Sequence, residues 1–200
     1  MADEFRAVLA TQNAHKVIEL NRILADAGVA RQIVGLAEFP GAPDVAETGL
    51  TFADNALLKA REIAAYTGLP AVSDDSGLTV NALNGMPGIL SARWAGKHGD
   101  DQANLELVLR QMADIDRRDA AFVCVAALAL PGGAGEWTTT GVLPGRITRA
   151  PRGTNGFGYD PIFVPDGMDT TTAELSPQDK EAISHRGRAF RAIAQVIAGL

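Results

Sequence analysis

Apolar positions change their period several times along the chain, and each change predicts an element. Arg6 to Ala10 is a short apolar run that reads as a buried strand. A helical period follows, with Val17, Leu20, Leu24 and Ala27 on one face. Asn13 is placed to cap that helix and Gly28 to stop it. Gln32 to Leu36 reads as a second strand. Thr51 opens a second helix, with Asp54 three residues later in the manner of a capping box. Phe52, Ala56 and Ile63 form its apolar face, and Gly68 and Pro70 end it. Pro70 to Ser73 is a predicted strand that stops at the adjacent carboxylates Asp74 and Asp75. Gly85 to Gly88 reads as a turn, and Gln102 to Met112 as a helix. Ala120 to Leu130 and Glu136 to Arg149 read as long strands joined hairpin-fashion through Pro131 to Gly135. Pro161 to Val164 is a short strand, and Ile183 to Ile197 a closing helix with a basic first half. Strands and helices alternate early and a hairpin follows, which predicts an α/β fold with a mixed sheet. With no repeat and no linker, residues 1–200 read as one domain.

Composition narrows the class. Apolar residues make up 46% of the 200, enough for a sizeable core. The net charge of −6 argues against a nucleic-acid partner, which needs a basic surface. The longest apolar stretch, Ala120 to Leu130, falls well short of the roughly 20 residues that span a bilayer, so no membrane partner is expected. The start, MADEFRA, has no apolar secretory segment. Cys124 is the only cysteine, so no internal disulfide can form and a cytoplasmic setting is expected. Its place inside FVCVAALAL marks it as a core thiol rather than a nucleophile.

Four segments carry chemistry. In Thr11-Gln12-Asn13-Ala14-His15-Lys16 a strand ends and a helix opens, and backbone N–H groups there suit an anion. His15 and Lys16 sit in the first helical turn, where the macrodipole disfavours cations, and a bound phosphate would remove that conflict. The Walker pattern is absent. Asp74 and Asp75 point to opposite faces if their strand continues. Glu47 offers another oxygen ligand, and one or two carboxylates are what magnesium asks of a protein. Asn55 and Lys59 stand one turn apart on one helix face, where Lys59 suits a phosphate. Glycines flank Phe157, leaving its ring room to stack on a flat base, and Asp160 can accept from base N–H groups. Lys180, His185 and Arg186 concentrate donors around the last helix.

Together these segments resemble the inosine triphosphate pyrophosphatase family, which acts on aberrant purine nucleoside triphosphates. The resemblance runs from Val8 to about Ile193, through LATQNAHKVIEL, AETGLTFADNALLKAR, SDDSGL, GMPGILSARWAG, GTNGFGYDPIF and AELSPQDKEAISHRGRA in that order. It implies a long twisted mixed sheet in two lobes flanked by helices, with the active site in the cleft between lobes. It implies a magnesium-dependent, cytoplasmic homodimer that converts inosine, deoxyinosine and xanthosine triphosphates to monophosphate and pyrophosphate. Thr11 to Lys16 would bind the triphosphate. Glu47 and Asp75 would hold the cation, with Asp75 also activating water and Lys59 assisting. Ser76 would touch substrate. Phe157, Gly158, Tyr159 and Asp160 would stack on and read the base. Lys180, His185 and Arg186 would contact it from the other side, and Asn55 and Arg93 would support the site. Gln12 and Asn155 replace glycines common in the family, and a left-handed Asn155 would preserve its loop. The alternatives are a related pyrophosphatase for modified pyrimidine or ordinary nucleotides, and a nucleotide sensor that does not hydrolyse.

Overall fold

The computed structural model describes residues 6–200, and residues 1–5, where no secretory segment is expected, lie outside them. Six strands form one mixed sheet in the order β2-β1-β3-β4-β5-β6. They are β1 (Arg6–Leu9), β2 (Gln32–Gly35), β3 (Ala71–Val80), β4 (Asp119–Ala129), β5 (Glu136–Ile147) and β6 (Phe163–Pro165). β1 runs parallel to β2 and β3, and β5 runs antiparallel to β6. The helices among the described residues are α1 (Ala14–Asp26), α2 (Phe52–Thr67), α3 (Asp101–Gln111), α4 (Pro177–Ile183) and α5 (His185–Ala198). The expected α/β class and mixed sheet are present.

Local chemistry accounts for the helix ends. The Asn13 side chain accepts from the His15 N–H, and α1 begins there. Thr51 and Asp54 form the expected reciprocal capping box, and Gly68 ends α2 at a φ of 68° that favours glycine. β4 and β5 are neighbours in the sheet, joined by a turn in which the Leu130 N–H donates to the Gly135 carbonyl.

The chain divides into two compact units. The first comprises residues up to Asp75, Cys124–Gly141 and Arg186–Leu200. Strands β1, β3 and β4 are covered there on both faces, which explains why β4 reads as a continuous apolar run rather than an alternating one. On one face Ala7, Leu9, Val72, Cys124, Ala126 and Leu128 pack with Leu20 and Leu24 of α1 and Phe190 and Ile193 of α5. On the other, Val8, Ala71, Val125 and Ala127 pack with Ala56, Ala60 and Ile63 of α2. Neighbouring residues of one strand thus belong to different helix layers. The second unit, Ser76–Val123 with Val142–His185, has its own core of Leu78, Val80, Val108, Met112, Phe122, Ile147 and Phe163.

Two expectations need correction. The strand ending at Ser73 continues to Val80, so Asp74 and Asp75 lie inside it rather than at its end. Gly77 permits this, because a Cβ there would stand 2.3 Å from Ser91 Oγ and 2.5 Å from the Gly88 carbonyl oxygen. Leu78 and Val80 then supply buried apolar residues that anchor the far half. The closing helix does not begin at Ile183. A separate helix, α4, ends there, Ser184 is extended at φ −60° and ψ 144°, and α5 starts at His185. α4 has its own start signal: Ser176 caps the Asp179 N–H, and Pro177 occupies the first turn.

Gly77→Ala is expected to destabilise the protein by about 1–3 kcal/mol, because the new methyl must displace backbone at Gly88 as well as Ser91. Denaturant unfolding at neutral pH checks this, and an unchanged midpoint would contradict it.

Candidate active site

Alternation along β3 sends its two carboxylates to different partners. Val72 and Asp74 share the α1/α5 side, whereas Ala71, Ser73 and Asp75 share the α2 side. Asp74 accepts from Lys16 Nζ through both oxygens, at 2.8 and 2.9 Å. Arg186 Nε, in the first turn of α5, donates to the same carboxylate at 3.3 Å. Burial alone would raise the Asp74 carboxyl, but Lys16 and Arg186 outweigh it and hold the group at about 2. Arg186 responds in kind: its burial opposes the charge, and Asp74 restores it. The conflict of cations at the start of α1 is therefore met by an anion the protein itself supplies. The Asn13 N–H donates to Thr11 Oγ1 and the His15 N–H to Asn13 Oδ1.

On the α2 side, Asn55 Nδ2 donates to Asp75 at 3.0 Å, and its carbonyl oxygen accepts the Gly49 N–H at 2.7 Å. One turn on, Lys59 Nζ donates to Glu47 at 2.6 Å. Residues 47 and 49 belong to the segment preceding α2. Asn55 and Lys59 thus hold that segment and Asp75 against one helix face. Gly49 has to be glycine, since a Cβ would meet Asp54 Cβ at 2.5 Å.

The second unit carries Phe157 and Tyr159. Phe157 is 67% exposed, an unusual state for a large ring. Its N–H donates to Asp160 at 2.8 Å, and the Gly158 N–H donates to Asp101 at 2.8 Å. Lys180 Nζ lies 4.8 Å from the Phe157 ring centroid and also pairs with Asp160. Asp160 is buried, its other oxygen accepting from Thr172 Oγ1 at 2.9 Å. It therefore anchors the loop from inside. Tyr159 is buried as well, with its hydroxyl donating to the Ser91 carbonyl at 2.8 Å, and burial raises its pKa. His185 stacks on Phe122. Ser76 is part-buried in β3, and Arg93 ends the short helical turn Gly88–Arg93. Asn155 does not adopt the left-handed conformation expected of it; among described residues other than glycine only Asn84 does. Its side chain instead donates to the Leu175 carbonyl, which ties the loop down by a different means.

Residues 7–196 match the Ham1 family profile. The chain belongs to the Ham1 family. A protein of Streptomyces coelicolor named dITP/XTP pyrophosphatase is 60% identical over 194 residues, covering 96% of each chain. One of the same name from Nocardia farcinica is 57% identical, covering 98% of this chain and 96% of the relative. Among solved structures, a HAM1 protein from Coxiella burnetii superposes with a TM-score of 0.90 at 45% identity, covering 98% of this chain and all of the other. The nucleoside-triphosphatase / dITP/XTP pyrophosphatase from Mycobacterium abscessus gives a TM-score of 0.82 at 52% identity, with 96% and 100% covered.

Within this Ham1 family chain the first unit gathers Lys16, Asp74 and Arg186 on one side of β3 and Glu47, Asn55, Lys59 and Asp75 on the other. The second unit gathers Phe157, Asp160 and Lys180. Sequence reasoning missed Asp101, Thr172 and Phe122. All three act through contacts distant in sequence, and no local signal marks them.

Asp74→Asn is expected to cost about 2 kcal/mol of stability at pH 7, since the folded carboxyl sits well below its usual value. The sign follows from that direction: the depressed group stabilises above pH 4 and loses its contribution as pH falls toward 2. The gap between wild type and variant should therefore close across that window in denaturant titrations. A gap independent of pH would contradict the assignment.

Proposed function

We propose that this protein hydrolyses inosine, deoxyinosine and xanthosine triphosphates to monophosphate and pyrophosphate with magnesium, clearing them from the nucleotide pool. Relatives at 50–60% identity over nearly their whole length are named dITP/XTP pyrophosphatase. The observation that carries the reading is the buried Asp75 carboxylate held by Asn55, on the helix whose Lys59 holds Glu47.

The donor set suits magnesium. Glu47 and Asp75 are hard oxygen donors, and no group of three or more acidic, His or Cys residues among the described residues can cage a cation alone. Magnesium takes one or two carboxylates and fills its remaining positions with waters and phosphate oxygens. Glu47 and Asp75 would hold it, and when bound it supplies charge neutralisation at the phosphates. Lys59 then leaves Glu47 for a phosphate oxygen.

The protein's own groups supply the rest. A water oxygen attacks the α-phosphorus, the bond to the bridging oxygen breaks, and pyrophosphate leaves. Asp75 accepts the water proton, its carboxylate kept in orientation by Asn55. Lys16 and Arg186, already charged and held by Asp74, offset the growing charge on pyrophosphate. The segment from Thr11 to Lys16 binds phosphate oxygens at the start of α1. Phe157, with Gly158 and Lys180 beside it, offers an open ring face for a purine. His185 donates to the 6-oxo group. Adenine presents a 6-amino donor instead and leaves two donors opposed, a mismatch that discriminates strongly. The active form is taken as a cytoplasmic homodimer.

Hydrolysis of inosine, xanthosine, guanosine and adenosine triphosphates, with and without magnesium, checks the reading. Pyrophosphate and monophosphate should appear from the first two, only with magnesium, and with kcat/KM on the order of 100-fold above adenosine triphosphate. Orthophosphate as the product, or preference for a pyrimidine or ordinary nucleotide, would contradict it. Asp75→Asn should lower kcat roughly 100- to 10,000-fold; a near-normal rate would remove Asp75 as the base.

A further inference from the structure

We propose that Phe122 is a positioning residue: it fixes the ring plane of His185 and so sets the preference for a 6-oxo over a 6-amino purine. The inference rests on the functional reading above and names a residue which that reading does not use. Phe122 lies on β4 in the second unit and is only 8% exposed. It has no polar side-chain atom, so it cannot read a base by hydrogen bonding. Its ring lies parallel to the His185 imidazole, with centroids 5.1 Å apart and planes 14° apart. The fully buried Phe163 ring packs against Phe122 at 4.5 Å and 52°. Phe122 is thus held by the core while its ring stacks on His185.

The consequence follows from imidazole chemistry. Both ring nitrogens of His185 donate or accept in the plane of the ring. A flat contact on one face therefore leaves the nitrogen edges clear of Phe122. Turning the imidazole toward perpendicular would drive an edge into the Phe122 face and give up the stacked contact. His185 begins α5 directly after the extended Ser184, and terminal ring torsions are broad unless packing limits them. Phe122 supplies such a limit. A donor held in one plane discriminates between an acceptor and a donor on the base. A donor that can swing discriminates less, because it can turn away from the mismatch. An aliphatic side chain at position 122 would fill the core without imposing a plane.

The test pairs a spectroscopic with a kinetic readout. The chain has three histidines, and His185→Asn assigns the His185 ring signals in a proton–carbon spectrum. In the wild type the His185 ring protons should be shifted upfield by the Phe122 ring current. Phe122→Leu should abolish that shift, and Phe122→Tyr should keep it. In kinetics, Phe122→Leu should lower the inosine-over-adenosine ratio of kcat/KM roughly 3- to 10-fold, the scale of one aromatic stack. The change should lie in KM, falling for adenosine triphosphate and rising for inosine triphosphate with kcat nearly unchanged, and Phe122→Tyr should restore the ratio. Phe122→Met carries the same test if the leucine variant fails to fold. Unshifted His185 signals in the wild type would overturn the proposal. So would a leucine or methionine variant that loses the shift but keeps its selectivity, or one that loses kcat alone. A wild type that does not distinguish inosine from adenosine triphosphate would overturn the functional reading as well, and that arm is measured before any variant.

Discussion

A carboxylate in the middle of a buried strand needs cations, and Asp74 takes two. Lys16 reaches it from the first turn of α1 and Arg186 from the first turn of α5. Both helices begin with basic residues where their dipoles disfavour them. One carboxylate answers both conflicts, and the exchange leaves two cations part-buried and fixed. The rest of the arrangement depends on this. With Asp74 committed to the α1 and α5 side, alternation along β3 gives Asp75 to α2, where Asn55 and Lys59 are spaced to receive it and Glu47. Two adjacent carboxylates can then do different work because their strand separates them.

The same separation explains how the site tolerates so much buried charge. Among the described residues no buried side-chain polar atom lacks a partner. Asp160 repeats the device in the second unit: a buried carboxylate binds Lys180, the Phe157 N–H and Thr172, and an exposed aromatic ring is presented as a result. Cys124 lies near the Asp74 group, and burial raises its pKa further from the thiolate, which fits a packing role.

Much of this was legible in the residues. The caps at Asn13 and Thr51, the helical periods of α1 and α2, and the turn at 131–135 are local signals, and the structure follows them. What failed were boundaries set by tertiary contact. β3 reads as stopping at Ser73 because two aspartates are poor strand residues, but partners on α1, α2 and α5 compensate for them. The break at Ser184 was harder, although Ser176-Pro177-Gln178-Asp179 carries a legible helix start. In the candidate site, residues singled out by type are grouped by the structure: Lys16 and Arg186 on Asp74, Asn55 on Asp75, Lys59 on Glu47. Which oxygen meets which cation was not legible, because Lys16 and Asp74 are 58 residues apart and Asp74 and Arg186 are 112 apart. Asp160 illustrates the limit: its type suggests a base reader, whereas its burial makes it an anchor.

In the proposed function β3 divides labour between neighbours: Asp74 organises Lys16 and Arg186 for the triphosphate, while Asp75, one of the two carboxylates that would hold magnesium, accepts the water proton. Calorimetric titration of a non-hydrolysable inosine triphosphate analogue with magnesium into Asp74→Asn and Asp75→Asn tests it most directly. Asp75→Asn should bind within a few-fold of wild type, and Asp74→Asn should bind at least about 10-fold more weakly, the loss of one charge-assisted contact. Equal weakening in both variants, or the reverse order, would contradict the division.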